Sequence, residues 1–333
     1  MNNPCWQEEL RESITDIDVL CRQLAIPHHS DTPTDYPLLV PRPFVRMMEK
    51  GNPNDPLLLQ VLPQPSENMQ TEGFCTDPLT ERDDAVDGIL NKYTGRSLLL
   101  TSPACGIHCR FCFRRYLRQT IAPTQWSTTQ WSTMKWGAMQ TGRMSGMLSE
   151  SEEVILSGGD PLMLDDEELD GLLQSLLQRP NIRRIRIHSR LPIVLPSRLT
   201  PRLAEILTLP LPLYLVLHIN HPRELSDAFL QRRELLHKPV VLSQSVLLRR
   251  INDDTQTLYC LFSRLIDARI LPYYLHQLDR VSGTAHFEVS LQEGVRLMTE
   301  LRHRLPGYAI PRYVCEVPGS GCKEMVVVGR EAF

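Results

Sequence analysis

The sequence predicts an α/β fold, in which a parallel sheet curves into a partial barrel behind a helical and irregular N-terminal extension. Three observations carry that expectation. From Ser97 onward, apolar runs of strand length alternate with amphipathic runs of helix length, the pattern of repeated β/α units. Six runs qualify as strands, at 97–101, 153–157, 184–188, 213–218, 240–246 and 271–276. Several of them end in polar residues able to do chemistry, and α/β proteins keep their chemistry at strand ends.

Taken in order, residues 1–96 read as the extension, 97–310 as the core domain and 311–333 as a closing segment. A helix is expected from Gln7 to Leu24, with Leu10, Ile14, Ile17, Leu20 and Leu24 near helical spacing. Prolines crowd from Pro27 to Pro43, and Phe44 to Met48 suggests a short helix stopped by Gly51-Asn52-Pro53. Residues 53–90 are proline-rich and read as irregular, a wrap packed on the core. Within the core, Leu169, Leu172, Leu173, Leu176 and Leu177 make an i, i+3, i+4, i+7, i+8 stripe. Leu199-Thr200-Pro201 reads as an N-cap followed by proline at the first helical position. Leu258, Leu261, Phe262 and Leu265 mark another apolar face, and Ser290 with Glu293 has capping-box spacing. Residues 124–147 break the pattern: Thr124 to Thr128 is followed at once by a second, identical copy, Thr129 to Thr133, with no apolar stripe.

At 333 residues and 42% hydrophobic, the chain can bury one large core. A net charge of −3 gives no electrostatic case for nucleic acid or a membrane surface. No apolar run approaches the ~20 residues of a membrane span, and the polar N-terminus lacks an apolar signal core. The cytoplasm is therefore the expected compartment, with cysteines outside the main cluster remaining thiols.

That cluster is Pro103-Ala104-Cys105-Gly106-Ile107-His108-Cys109-Arg110-Phe111-Cys112, leaving the apolar strand Leu98-Leu99-Leu100. Three thiolates can hold three irons of a [4Fe–4S] cube and leave the fourth iron open to a small molecule. Zinc remains an alternative with His108 as fourth ligand, although no second cysteine pair lies nearby. A disulfide reading meets an odd number, and three structural cysteines would not need this spacing.

The spacing C-x-x-x-C-x-x-C, with aromatic Phe111 before the third cysteine, resembles the radical S-adenosylmethionine superfamily. The resemblance implies a (βα)6 three-quarter TIM-type barrel, a [4Fe–4S] cluster on Cys105, Cys109 and Cys112, and S-adenosylmethionine on the open iron. Ser157-Gly158-Gly159-Asp160 would by itself be an ordinary strand-to-helix turn. Beside the cysteines it is similar to the superfamily's element for the S-adenosylmethionine amino group, and Asp160-Pro161 points to the lysine 2,3-aminomutases.

The segments around His188-Ser189-Arg190-Leu191-Pro192, His218, Gln244 and Tyr273-Tyr274-Leu275-His276 resemble that family in the same order, and the likeness runs from about Phe44 to Lys323. It implies His218 and Gln244 near S-adenosylmethionine and Lys323 carrying pyridoxal phosphate. Lys92, Tyr93 and Arg96, placed before the first strand, would contact that cofactor's phosphate and ring. It also implies Asp279 and Glu316 on the ε-ammonium of L-lysine, and Arg114, two residues after Cys112, is read as holding the substrate carboxylate, which its guanidinium fork suits. Taken singly, Arg114 with Arg115 reads as a solvated basic pair, either acid as a loop charge, and Lys323 as a solvated turn residue. Two departures stand beside Lys323: Cys322 replaces the family's glycine, and Glu324-Met325 a Thr/Ser-Pro pair.

The chain stops ten residues after Lys323, without the zinc-binding and assembly region of the long members. It resembles the short bacterial branch, which makes (R)-β-lysine for modification of elongation factor P by a lysyl-transferring enzyme. That implies an electron donor of the flavodoxin or ferredoxin type. Two other classes remain: a non-catalytic cluster- or zinc-bearing protein that binds a translation factor, and a radical enzyme for another amino acid.

Overall fold

The computed structural model describes residues 5–27, 35–81, 88–116 and 148–327, so the repeated segment at 124–147 lies outside the described residues. One nine-stranded sheet runs through it in chain order. Its strands are β1 (Ile89–Tyr93), β2 (Arg96–Ser102), β3 (Glu153–Gly158), β4 (Arg184–Ser189), β5 (Leu213–His218), β6 (Val240–Val246), β7 (Leu271–His276), β8 (Arg312–Cys315) and β9 (Glu324–Met325). From β2 to β8 every pairing is parallel. At each edge a hairpin adds an antiparallel strand, β1 on β2 and β9 on β8.

The six expected strands are β2 to β7. Three more were not expected, and the sheet continues past both 97 and 311. Lys92 and Tyr93 do not precede the first strand; they lie on β1, and Arg96 opens β2. The three unexpected strands have only two to five residues, too few for a pattern to show.

Alternation along the strands explains where the cavity and the core fall. Val154 and Leu156, Ile185 and Ile187, and Leu215 and Leu217 point into the core, against the helices. The residues between them, Ile155 and Ser157, then Arg186 and His188, face a central cavity, as do Gln244 and Val246 on β6. A parallel sheet buried on both faces normally reads as a continuous apolar run. Here the polar alternate positions mark an inner face built to hold something polar.

The helices begin where local chemistry satisfies their first N–H groups. Asp165 accepts from Glu168 N at 2.8 Å, Thr200 from Leu203 N at 3.0 Å and Ser290 from Glu293 N at 3.2 Å. The Asp166–Leu177 helix buries Leu169, Leu172, Leu173 and Leu176, each worth about 1.5–3 kcal/mol of transfer free energy.

The N-terminal helix is not continuous. It divides into Trp6–Arg11 and Ile17–Leu24 because Ile14 leaves the helix to pair with Val40, at 2.8 and 2.9 Å. Within 53–81, a segment expected to be irregular, there are a short helix at Pro56–Leu59 and a 3-10 turn at Pro65–Asn68. Trp6, Leu20, Phe44, Leu57 and Leu62 belong to the same core cluster as Leu191 and Ile193 beside the sheet. Among the described residues, no helix is long and apolar enough to cross a membrane.

Candidate active site

A cavity of about 780 Å³ opens at the C-terminal rim of the parallel strands. Its lining includes all sixteen residues singled out from the sequence, across 232 positions from Lys92 to Lys323.

The cysteine loop forms one wall. Ile107 and Phe111 are buried and anchor it, and Cys105, Cys109 and Cys112 are each partly exposed to the cavity. Backbone bonds tie the loop to the N-terminal segment: His108 N donates to Leu39 O at 3.0 Å, and Arg110 N to Gln60 O at 2.8 Å. His108 itself stays off the cavity. Its ring stacks on Tyr36 at 5.0 Å, with Nδ1 2.9 Å from Pro37 O. Among the described residues no three His, Cys, Asp or Glu side chains converge on a single ion position. Thiolates that each take a separate iron need no such convergence.

The turn after β3 is pressed against this loop. Gly159 N donates to Ser102 O at 2.6 Å, and Asp160 N to Ala104 O at 2.8 Å. A Cβ on Gly159 would stand 2.2 Å from Ala104 O, so only glycine permits the approach; Gly158 sits at φ +109°. Asp160 accepts from Ser189 Oγ at 2.7 Å and from the backbone N of Arg190, Leu191 and Leu162 at 2.8–3.0 Å. Burial pushes its carboxyl up, and these donors pull against that.

On the opposite wall, the β8–β9 hairpin carries Glu316 and Lys323. Glu316 pairs with Lys323 Nζ, accepts from Tyr93 Oη, and meets Lys92 Nζ at 3.1 Å. Burial is the largest single influence and would raise its carboxyl, but Lys323, Tyr93 and Lys92 together outweigh it and hold it at about 2. Arg96 lies over the Tyr93 ring at 4.9 Å. Asp279 behaves in the opposite way. Burial pushes it up to about 7 against the pull of Lys323, and among the described residues its carboxylate makes no hydrogen bond or ion pair.

Arg114 is not solvated. Its fork grips Glu81 at 2.7 and 2.9 Å, and Nη1 donates to Ser157 Oγ at 2.9 Å. Arg115 is likewise buried, 2.9 Å from Glu67.

No family model matches the chain. It is 43% identical over 330 residues to the L-lysine 2,3-aminomutase of Escherichia coli strain K12, covering 96% of this chain and 93% of that one. Proteins of the same name from Buchnera aphidicola and Haemophilus influenzae are 40% and 39% identical, each across 96% of this chain and 94% and 95% of theirs. Identity at this level along nearly the whole length decides the family. The chain belongs to the lysine 2,3-aminomutase family. It is accordingly an isomerase, of the aminomutase class.

In this aminomutase the cavity also holds residues that sequence reasoning passed over. Glu81 and Arg186 gave no signal, since neither stands in a motif. His188, Arg190, Tyr274 and His276 stood inside segments already noted for polar strand ends, and that was the available clue. Burial lowers the titration of His188, His218 and His276, to about 3 for His218, with nearby cations adding to the effect. All three imidazoles are therefore neutral near pH 7. His188 Nε2 is buried with no partner among the described residues, a polar atom in the cavity wall that a bound polar group would satisfy.

Proposed function

We propose that this chain is an L-lysine 2,3-aminomutase, moving the α-amino group of L-lysine to the β-carbon to give (R)-β-lysine. The observation that carries the proposal is a single cavity lined by three cysteines, a lysine on a glycine-rich hairpin and an unpaired carboxylate, Asp279. The parallel run from β2 to β8 supports reading the sheet as the partial (βα)6 barrel of the radical S-adenosylmethionine enzymes.

The residues present fit the groups this chemistry needs. Cys105, Cys109 and Cys112 would hold the [4Fe–4S] cluster, and a guanidinium 2.9 Å from Cys109 Sγ favours a thiolate there. Ser157, Gly158, Gly159, His218 and Gln244 would hold S-adenosylmethionine, with Asp160 keeping the turn in place. Lys323 would carry pyridoxal phosphate, with Lys92 and Arg96 as cations for the phosphate and Tyr93 beside the ring. When bound, the cluster with S-adenosylmethionine supplies a hydrogen-abstracting 5′-deoxyadenosyl radical, and pyridoxal phosphate supplies a conjugated system able to hold an unpaired electron.

The protein's own part is binding, orientation and charge. Asp279 receives the ε-ammonium of lysine, and Glu316 is the second acid on that side. Glu316 also keeps the Lys323 amine within reach and stabilises it as an ammonium whenever it is displaced. Arg114 holds the α-carboxylate at its Nη1 edge beside Ser157, since Glu81 occupies the other edge. Neutral His188, His218 and His276 offer hydrogen bonds without adding charge. Phe111, Leu79, Leu98 and Leu278 supply apolar wall that limits water around a reactive radical.

The short-branch resemblance supports elongation factor P, through its lysyl-transferring enzyme, as the destination of the product. It also supports a flavodoxin- or ferredoxin-type donor and a cytoplasmic setting. Anaerobic incubation with a one-electron reductant such as dithionite, L-lysine, S-adenosylmethionine and pyridoxal phosphate tests the reaction: β-lysine should form only when all four are present. Borohydride should fix pyridoxal phosphate to the peptide containing Lys323, and labelling of another lysine overturns that assignment. Cys109→Ala should lose most of its iron, whereas stoichiometric zinc without iron in the native protein would sink the cluster.

A further inference from the structure

Behind the cysteine loop lies a buried polar cluster that the proposed reaction uses only through its one contact with Cys109. Arg190, just after β4, places Nη1 2.9 Å from Cys109 Sγ. Its Nη2 donates to Gln60 Oε1 at 2.7 Å and to Glu224 Oε2 at 3.2 Å. The guanidinium is held between Phe111 and Phe44, at 5.3 and 5.7 Å from the ring centres. Glu224 is fully buried, and its Oε1 accepts from Gln60 Nε2 at 3.0 Å and from the backbone N of His221 and Asn220 at 3.1 and 3.2 Å. Gln60 also accepts from Asn220 Nδ2 at 3.0 Å, so four side chains from three distant stretches lock one another.

A buried ion pair of this kind is weak evidence for stability, since well-packed apolar residues often do as well. What an apolar replacement could not supply is the third contact, a fixed cation on a cysteine sulfur. We propose that Arg190 is a positioning residue for electron transfer, raising the reduction potential of the cluster through Cys109 while Glu224 tempers its charge. The inference rests on the cluster assigned above. In the step concerned, the oxidised cube takes one electron from a low-potential flavodoxin- or ferredoxin-type donor, with no bond made or broken. The reduced cube carries one more negative charge. A cation in contact with a ligand sulfur in a low-dielectric wall stabilises that form, and hydrogen bonds to cluster sulfurs act in the same direction.

The test uses the full chain, reconstituted anaerobically with iron and sulfide, without substrate. Iron per chain is measured first, and the reduced cluster is then followed by electron paramagnetic resonance as the potential is stepped with mediators. For Arg190→Gln, the ratio of reduced to oxidised cluster at the native midpoint should fall about tenfold, equivalent to about 59 mV for one electron. Arg190→Lys should recover part of the loss. Glu224→Gln should shift the midpoint the other way, because the cation is then no longer balanced. Native protein without iron overturns both the cluster and this role. A normally loaded cluster whose midpoint is unchanged in Arg190→Gln overturns this role alone. Should Arg190→Gln fail to fold, Glu224→Gln decides, and an unchanged or more negative midpoint there refutes the proposal.

Discussion

Asp279 and Glu316 are two acids lining one cavity, one pushed up to about 7 and the other held at about 2. Glu316 has Lys323, Lys92 and Tyr93 within bonding distance, whereas Asp279 has burial without a bonded partner among the described residues. An unfolded aspartate ionises near pH 4, so between about pH 4 and 7 the folded chain holds the extra proton at this site. Stability of the ligand-free protein should therefore fall as pH rises through that window and level off above it, by at most about 4 kcal/mol. Asp279→Asn should flatten this slope, as read from urea midpoints at successive pH values. Lysine binding needs the ionised carboxylate and should strengthen over the same range. For Asp279→Ala, loss of the charge partner corresponds to ~3–5 kcal/mol, or a fall in kcat/KM for lysine of about two to four orders of magnitude. Calorimetry should find S-adenosylmethionine binding unchanged in that variant, and unimpaired β-lysine formation would show the pocket to be misassigned.

At the scale of elements, the turn after β3 and the cysteine loop act as one unit, because Gly159 lets the two backbones touch. Gly159→Ala should force them apart and lower the iron bound after reconstitution, measured per folded chain. Gly171 is the contrasting case, an outward-facing helical glycine with nothing within 4 Å of an added Cβ. Gly171→Ala should raise stability by up to about 1 kcal/mol without changing iron content. The Thr200 cap was legible because it depends on a residue three positions away; Thr200→Ala should cost about 1 kcal/mol in chemical denaturation. The break in the N-terminal helix was not legible. It depends on Val40, whose pairing with Ile14 no local periodicity announces.

At the scale of the whole molecule, the residues before the sheet are part of its core. Leu20, Phe44, Leu57 and Leu58 are fully or almost fully buried in the same cluster as Leu191 and Leu215. Asp55 caps the Pro56–Leu59 helix at 2.8 and 3.0 Å and takes Arg223 at 2.7 Å, tying this segment to the connection after β5. A chain beginning at residue 88 should therefore lose fixed tertiary packing, seen as collapse of the near-ultraviolet circular dichroism. The full chain should unfold without a separate early transition for its N-terminal third. An independently folded 88–333 fragment would refute this account.

The sequence by itself determined what depends on near neighbours: six of the nine strands, the caps at Thr200 and Ser290, the cysteine spacing, and the hairpin lysine with the glutamate seven residues before it. Periodicity and capping act over a few residues, and any chain segment carries them before it folds. The tertiary structure alone decided which charges meet. Arg114 and Glu81 are 33 residues apart, Arg110 and Glu67 are 43 apart, and Lys92 and Glu316 are 224 apart. Nothing in their local patterns pairs them. Which acid keeps its proton was decided there too, because the cost of a charge depends on the cations and water that folding leaves within reach, and not on the residues beside it in the chain.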